Sequence, residues 1–210
     1  MSTIERNWQF TEQYPNETDA QVSARRLSLE LGIQPVSRSI AAYLSMITSA
    51  LAATNICELG TGVGVSGLAL IRHTPEATLT TIERDPEFIH QARTMFSEAG
   101  VASSHVRLVE GDAEHVMTRL NHSAYDVVLI DADPERLLEY FEQALLITRP
   151  GGVILVPNAF VQSTVPDPAS RSLATQNMRD LLNAVAESEV IAASLVAAGD
   201  GLLSVTKLQG

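Results

Sequence analysis

Ile56-Cys57-Glu58-Leu59-Gly60-Thr61-Gly62-Val63-Gly64-Val65-Ser66-Gly67 is the stretch on which the fold turns. It opens with a short apolar run around one acid, and alternating glycines follow before a helical pattern begins. A strand feeding such a loop and then a helix brings main chain close to a ligand, because glycine has no Cβ and tolerates positive φ. The amides that open the helix then face an anion. Gly62, Gly64 and Gly67 satisfy G-x-G-x-x-G, and Glu83 stands 21 residues past Gly62, where a carboxylate can hold ribose hydroxyls. Taken alone, this is a dinucleotide fingerprint that a nicotinamide oxidoreductase would also carry.

Outward from the loop the alternation repeats. Residues 56–59, 79–82, 106–109, 127–130 and 153–156 are short runs rich in β-branched side chains, which read as strands covered on both faces. Between them, residues 65–72, 86–99, 113–120 and 134–148 carry helical periodicity, the second and last opening on Pro86 and Pro134. Upstream lie two helical stretches, 17–31 and 35–53, separated by Gly32. Downstream come a proline-containing loop (157–170), a helix (172–186) and two apolar runs (190–196 and 202–205) joined by Ala198-Gly199-Asp200-Gly201. The pattern predicts an α/β fold: a Rossmann-like, doubly wound, mostly parallel seven-stranded sheet ending in an antiparallel hairpin, with extra N-terminal helices. It divides the chain into a helical arm, residues 1–34, and one domain, residues 35–210.

Composition narrows the partners. In 210 residues, 14 Lys and Arg face 25 Asp and Glu for a formal charge of −11, with no basic cluster, so a nucleic-acid partner is excluded from the expectation. Lys207 is the only lysine and Cys57 the only cysteine, so no intrachain disulfide can form. Glu5, Arg6 and Asn7 interrupt the place of a signal-peptide core, and no apolar run reaches the ~20 residues that span a bilayer. A cytoplasmic protein without a membrane partner is expected.

Carboxylates recur where the strands end: Glu58 before the glycine loop, Glu83 after the second strand, Asp112 after the third, and Asp131 and Asp133 after the fourth. Ligands of open α/β sheets bind at that edge, so these loops converge on one crevice. On these residues the chain resembles the class I S-adenosylmethionine-dependent O-methyltransferases of the catechol and caffeoyl-CoA type, and within them an actinobacterial branch. Glu58 to Ser66 resembles the first motif, Thr81-Ile82-Glu83 the ribose motif, and Glu110-Gly111-Asp112-Ala113 the adenine motif. Tyr125 to Asp133 and Arg149-Pro150-Gly151-Gly152-Val153 resemble the fourth strand and the turn before the fifth. The similarity runs from about Pro35 to the C-terminus, which makes 35–210 the methyltransferase domain.

The resemblance implies S-adenosylmethionine as cofactor, S-adenosylhomocysteine as product, a small-molecule acceptor and a homodimer. It implies a binding set of Val36, Glu58, Gly60, Thr61, Gly62, Ser66, Glu83, Arg84, Gly111, Asp112, Ala113 and Asp131. Within it, Ser66 and the loop backbone meet the methionyl carboxylate, Glu83 the ribose, Ala113 the adenine and Asp131 the sulfonium end. Val36 lies in the segment that closes over the cofactor. Asp131 is also the candidate catalytic residue.

Two positions depart from the family pattern. Its metal-dependent members hold a divalent cation with an Asp ending strand four and an Asp-Asn pair ending strand five; here Asp131 and Asn158 match, but Pro157 replaces the second Asp. Proline offers no side-chain oxygen to a hard cation, so no metal ligands are assigned. Pro134 occupies the place of the family's base lysine. These losses keep open a protein that binds the cofactor without catalysis. Asp133, just before Pro134, reads as a helix cap. His73, His90, His105, His115 and His122 show no ligand spacing. Trp8, Phe10 and Tyr14 fit either a substrate cleft or a dimer contact, and Asp167, Arg171 and Arg136 are candidate polar groups near the mouth.

Overall fold

The computed structural model describes residues 2–209. Strands β1 (Asn55–Leu59), β2 (Thr78–Glu83), β3 (Val106–Glu110), β4 (Tyr125–Ile130), β5 (Thr148–Pro157), β6 (Ile191–Val196) and β7 (Leu202–Lys207) form one sheet in the order β3-β2-β1-β4-β5-β7-β6. β1 to β5 pair in parallel, while β7 enters antiparallel between β5 and β6. This is the expected hairpin-terminated sheet.

Alternation along the central strands divides the core between the two faces. Val127, Leu129, Val153 and Leu155 turn to one cluster, with Ile40, Leu44, Leu70 and Phe96; Val128, Ile130, Ile154 and Val156 turn to the other, with Phe141, Ile147, Met178 and Leu181. The first face is covered by α2 (Asp19–Glu30), α3 (Arg38–Ala50), α4 (Val65–Ile71) and α5 (Pro86–Glu98). The second is covered by α6 (Ala113–Met117), α7 (Leu137–Ile147) and α8 (Leu173–Glu187). Because both faces are covered there, residues 127–130 of β4 and 153–156 of β5 are apolar without a break.

The helix starts follow local chemistry. Thr18 and Gln21 form a capping box on α2, Ser37 caps α3, and Asp85 caps α5 ahead of Pro86. Asp133 caps as expected, its carboxylate accepting from the Glu135 amide at 3.1 Å, but the segment opens with a single 3-10 turn (Pro134–Arg136) before α7. One helix departs from the sequence expectation, which began at residue 17: α1 (Thr3–Gln13) precedes it, nucleated by a Ser2/Glu5 capping box. No residue of α1 is buried, so it adds nothing to the core.

At the other end of the sheet, Asp126 ties β4 to the start of β1. Its carboxylate accepts from the Thr54 and Asn55 amides at 2.7 and 2.8 Å and from Arg149 Nε at 2.6 Å.

Candidate active site

The sheet order reverses direction between β1 and β4, and the loops that leave their C-terminal ends diverge there. The register sets Leu59 beside both Ile82 and Ile130, and Glu83 beside Glu110, so the four loops share a crevice of about 480 Å³. Its wall includes Val36, Gly60, Thr61, Gly62, Ser66, Glu83, Arg84, Gly111, Asp112, Ala113 and Asp131. Eleven of the twelve residues of the expected binding set therefore meet on one surface. The exception is Glu58.

The glycines divide by task. Gly60 has φ of +87°, its amide donates to the Ile82 carbonyl at 2.9 Å, and a Cβ there would lie 1.9 Å from the Asp131 carbonyl oxygen. Gly62 opens onto the crevice, its hypothetical Cβ meeting nothing closer than an Ile33 methyl at 3.7 Å. Gly64 and Gly67 instead face the Phe96 ring, at 3.4 and 2.7 Å from such a Cβ. Two of the three glycines in the dinucleotide-like motif thus serve the packing of α4 on α5.

Behind the loop, Glu58 is fully buried and is not among the residues of the crevice wall, a place from which it organises the loop backbone. Its Oε2 accepts from the Thr81 hydroxyl at 2.6 Å, and Thr81 and Thr61 share a second hydroxyl bond of 2.6 Å. Oε1 has no hydrogen-bond partner among the described residues. Burial pushes the carboxyl up to about 7, against the opposing pull of the Ser66 and Thr81 hydroxyls. Thr61 lines the crevice, but its hydroxyl is directed to Thr81.

Glu83 is held from three sides. Oε2 accepts from the Gly62 amide at 3.0 Å, and Oε1 from the Arg84 and Asp85 amides at 2.9 and 3.0 Å. Its carboxylate links the end of β2 to the glycine loop and retains lone pairs for a diol. Asp112 caps α6 through the Glu114 amide at 3.0 Å and accepts from Arg136 Nη1 at 2.9 Å, so Arg136 belongs to this corner and not to the acceptor mouth. Val36 closes the opposite side, its carbonyl accepting from Arg25 at 2.6 Å while Arg25 is bound by Glu17.

Asp131 lies on the boundary between this crevice and a second chamber of about 1040 Å³. Its amide donates to the Leu59 carbonyl at 2.9 Å, and Asn158 Nδ2 donates to its Oδ1 at 3.2 Å. Burial raises the carboxyl to about 6, and the Asn158 bond opposes that rise. The second chamber is walled by Trp8 and Glu12 of α1, Pro35, Leu137, Val156 and Pro157, the loop after β5, and Gly199 and Asp200 of the β6–β7 turn. Trp8 therefore faces the chamber, whereas Phe10 and Tyr14 are directed outward at 69% and 77% exposure.

The loop after β5 has an unusual backbone. Val161, Gln162 and Ser163 are consecutive left-handed residues with φ of +48°, +53° and +63°. L-residues seldom adopt this conformation in succession. Two clamps hold them. The Asp200 carboxylate accepts from the Gln162 amide at 2.5 Å, and Arg179 donates to the carbonyls of Thr164, Val165, Asp167 and Ser170 at 2.5–3.1 Å. α1 is fixed over the chamber by Glu12, which accepts from the hydroxyls of Ser37 and Ser39 and from the amides of Ser39 and Gly199, and by Trp8 Nε1 donating to the Gly199 carbonyl at 3.3 Å.

Sequence reasoning missed Glu12, Gln162 and Arg179. The near-duplicate Arg171 that it named is exposed and does not line the chamber. Lys207 caps the C-terminus of α7, donating to the Leu145 and Thr148 carbonyls at 2.8 and 2.9 Å, which accounts for it structurally. Around Asp131 and Asn158, Asp133 is engaged as a cap and Pro157 has no donor, so the family's metal does not fit this donor set. Among the described residues no three His, Cys, Asp or Glu side chains converge as ligands. No described helix is long and apolar enough to cross a membrane.

Comparison with known proteins agrees with this geometry. The sequence profile of the O-methyltransferase family matches residues 16–208. A Mycobacterium avium protein whose name assigns it provisionally as an O-methyltransferase is 38% identical over 186 residues, covering 88% of this chain and 84% of the relative. Among solved structures, the O-methyltransferase TomG of Streptomyces achromogenes, involved in tomaymycin synthesis and solved with S-adenosylmethionine, superposes with a TM-score of 0.88 at 27% identity over the whole of both chains. A Corynebacterium glutamicum protein shares the fold at a TM-score of 0.91 and 24% identity, covering 100% of this chain and 99% of the other. With profile, relatives and fold in agreement over almost its whole length, the chain belongs to the O-methyltransferase family.

Proposed function

We propose that this O-methyltransferase binds S-adenosylmethionine in the crevice, through the eleven wall residues named above, and methylates a hydroxyl of a small molecule held in the second chamber. The observation that carries the reading is Asp131, which borders both spaces at once. When bound, the cofactor supplies an electrophilic methyl group on a positively charged sulfur.

The chain's own residues then have distinct tasks. Glu83, fixed by three amides, receives the ribose hydroxyls; Ser66 and the Gly60–Gly62 main chain receive the carboxylate; Ala113 leaves room for the adenine. Asp131 accepts the acceptor's proton and places negative charge beside the sulfonium end. A carboxyl raised to about 6 is a better base near neutral pH than an exposed one. Asn158 orients it. Glu58 supports the loop from behind. The reaction proceeds without the family's metal and lysine, since Pro157 and Pro134 replace them. Residues 1–34 act as an arm whose first helix roofs the acceptor, on a catalytic domain of residues 35–210. We take the working state to be a cytoplasmic homodimer, supported by the resemblance, by the buried lone thiol of Cys57 and by the exposed Ile4, Phe10 and Tyr14 of α1.

The test is calorimetric titration of S-adenosylhomocysteine into EDTA-treated protein, followed by an acceptor screen with isotopically labelled methyl donor. Binding followed by label transfer to a hydroxyl supports the reading. Binding without transfer to any acceptor supports the non-catalytic alternative, and no binding overturns both.

A further inference from the structure

The second chamber has a chemical character of its own. The charged side chains on its wall are Glu12, Asp131, Asp133 and Asp200, and no Lys or Arg is among them. They come from three separate places: α1, the short segment that leaves the end of β4, which carries both Asp131 and Asp133, and the β6–β7 turn. Convergence from so many elements on one concave surface is unlike a solvated acidic face. The groups that contact Glu12 and Asp200 are neutral: hydroxyls and amides for Glu12, the Gln162 amide for Asp200. Neutral dipoles orient these carboxylates without cancelling their charge. Among the described residues, the nearest cation to any of the four is Arg84, 4.0 Å from Asp133 on the crevice side.

The remaining wall combines the polar side chains of Gln34, Ser37, Asn158, Gln162 and Ser163 with the apolar ones of Trp8, Pro35, Leu137, Val156, Pro157 and Met178. The apolar part suits an aromatic ring, and an indole face also attracts a cation. Pro157 offers no side-chain oxygen through which a metal would bridge two adjacent hydroxyls on this wall.

Resting on the methyltransferase reading above, we propose that the chamber selects an aromatic ring bearing one reacting hydroxyl and, at its far end, a protonated amine, and that it rejects anionic acceptors. The hydroxyl points to Asp131 and the amine to Glu12 and Asp200. As the acceptor oxygen bonds to the methyl carbon, the carbon–sulfur bond breaks and its electron pair stays on sulfur. The hydroxyl proton passes to the Asp131 carboxylate and from there to solvent. Placing the amine at the end away from the sulfonium separates the two positive charges, and the carboxylates offset what repulsion remains.

The experiment uses full-length protein saturated with S-adenosylhomocysteine and three matched phenols: tyramine (cationic), para-ethylphenol (neutral) and para-hydroxyphenylacetate (anionic). Binding is measured by calorimetry at low and high salt. Tyramine should bind about tenfold tighter than the neutral phenol and more tightly still than the acid, with the preference shrinking in salt. Asp200→Asn should reduce the preference. Gln162→Lys, on an exposed side chain of the same wall, should reverse it toward the acid, and this covers the case in which Asp200→Asn unfolds the loop. Equal binding of all three, tighter binding of the acid, or no binding of any phenol to protein that holds S-adenosylhomocysteine overturns the proposal and leaves the cofactor reading standing. Failure to bind S-adenosylhomocysteine overturns both.

Discussion

A Cβ at Gly60 would stand 1.9 Å from the carbonyl oxygen of Asp131, so the first loop and the end of β4 touch through bare main chain. The same contact brings the glycine loop, proposed to receive the cofactor, against Asp131, proposed to meet the acceptor. Gly60→Ala must push the two strand ends apart, and the φ of +87° adds strain for any L side chain. The expected outcome is a folded but destabilised protein whose affinity for S-adenosylhomocysteine falls by roughly a hundredfold or more, read by calorimetry. Unchanged affinity would mean that the crevice tolerates a wider gap than the close contact implies.

With Asp131 as the proposed base, the reaction acquires a pH dependence. Its carboxyl is raised to about 6, and only the ionised form takes a proton. The rate should therefore fall about tenfold per pH unit below about 6 and level off above it. Asp131→Asn should lower kcat by about 10²–10³-fold and abolish that acid limb, with S-adenosylhomocysteine affinity changed only a few-fold. A pH–rate profile that keeps its limb in Asp131→Asn would assign the titration to another group.

The sheet was legible because its signals are local and redundant: β-branched runs at 127–130 and 153–156, a glycine turn at 60–64 and proline after Asp85 each point to the same topology. The convergence of the crevice residues was legible for a related reason, since they cluster within a few positions of strand ends. The second chamber was not. Glu12 and Gly199 meet across 187 positions of sequence, and Gln162 meets Asp200 across 38; such contacts leave no periodic trace. The helix that carries Glu12 buries none of its residues, so no core pattern ties it to the chamber. For Glu58, strand alternation alone does not say whether the side chain lies in front of a glycine loop or behind it.

Pro157 is the position at which metal dependence can be tested by addition. Wild-type activity should be indifferent to EDTA and to Mg²⁺, because the wall near Asp131 and Asn158 holds no third oxygen ligand at that position. Pro157→Asp restores the acid that the metal-dependent relatives carry, beside an Asn158 already bonded to Asp131 at 3.2 Å. Mg²⁺ should then bind and stimulate turnover of vicinal diols. Loss of wild-type activity in EDTA that Mg²⁺ restores would sink the metal-independent reading.

Glu58 links the loop to stability. Its carboxyl is raised from 4.5 to about 7 by burial, so between those values the folded protein holds a proton that the unfolded chain has released. The folded state then binds more protons than the unfolded one, and stability falls as pH rises through that window and is level above it. Glu58→Gln keeps an oxygen for the Thr81 hydroxyl and removes the titration. The variant should lose none of this stability between pH 5 and 8, whereas the wild type should lose on the order of 2 kcal/mol relative to it. Urea denaturation at several pH values reads the difference directly. Parallel curves for the two proteins would show that Glu58 is ionised throughout, and that the buried Oε1 is stabilised by something other than a proton.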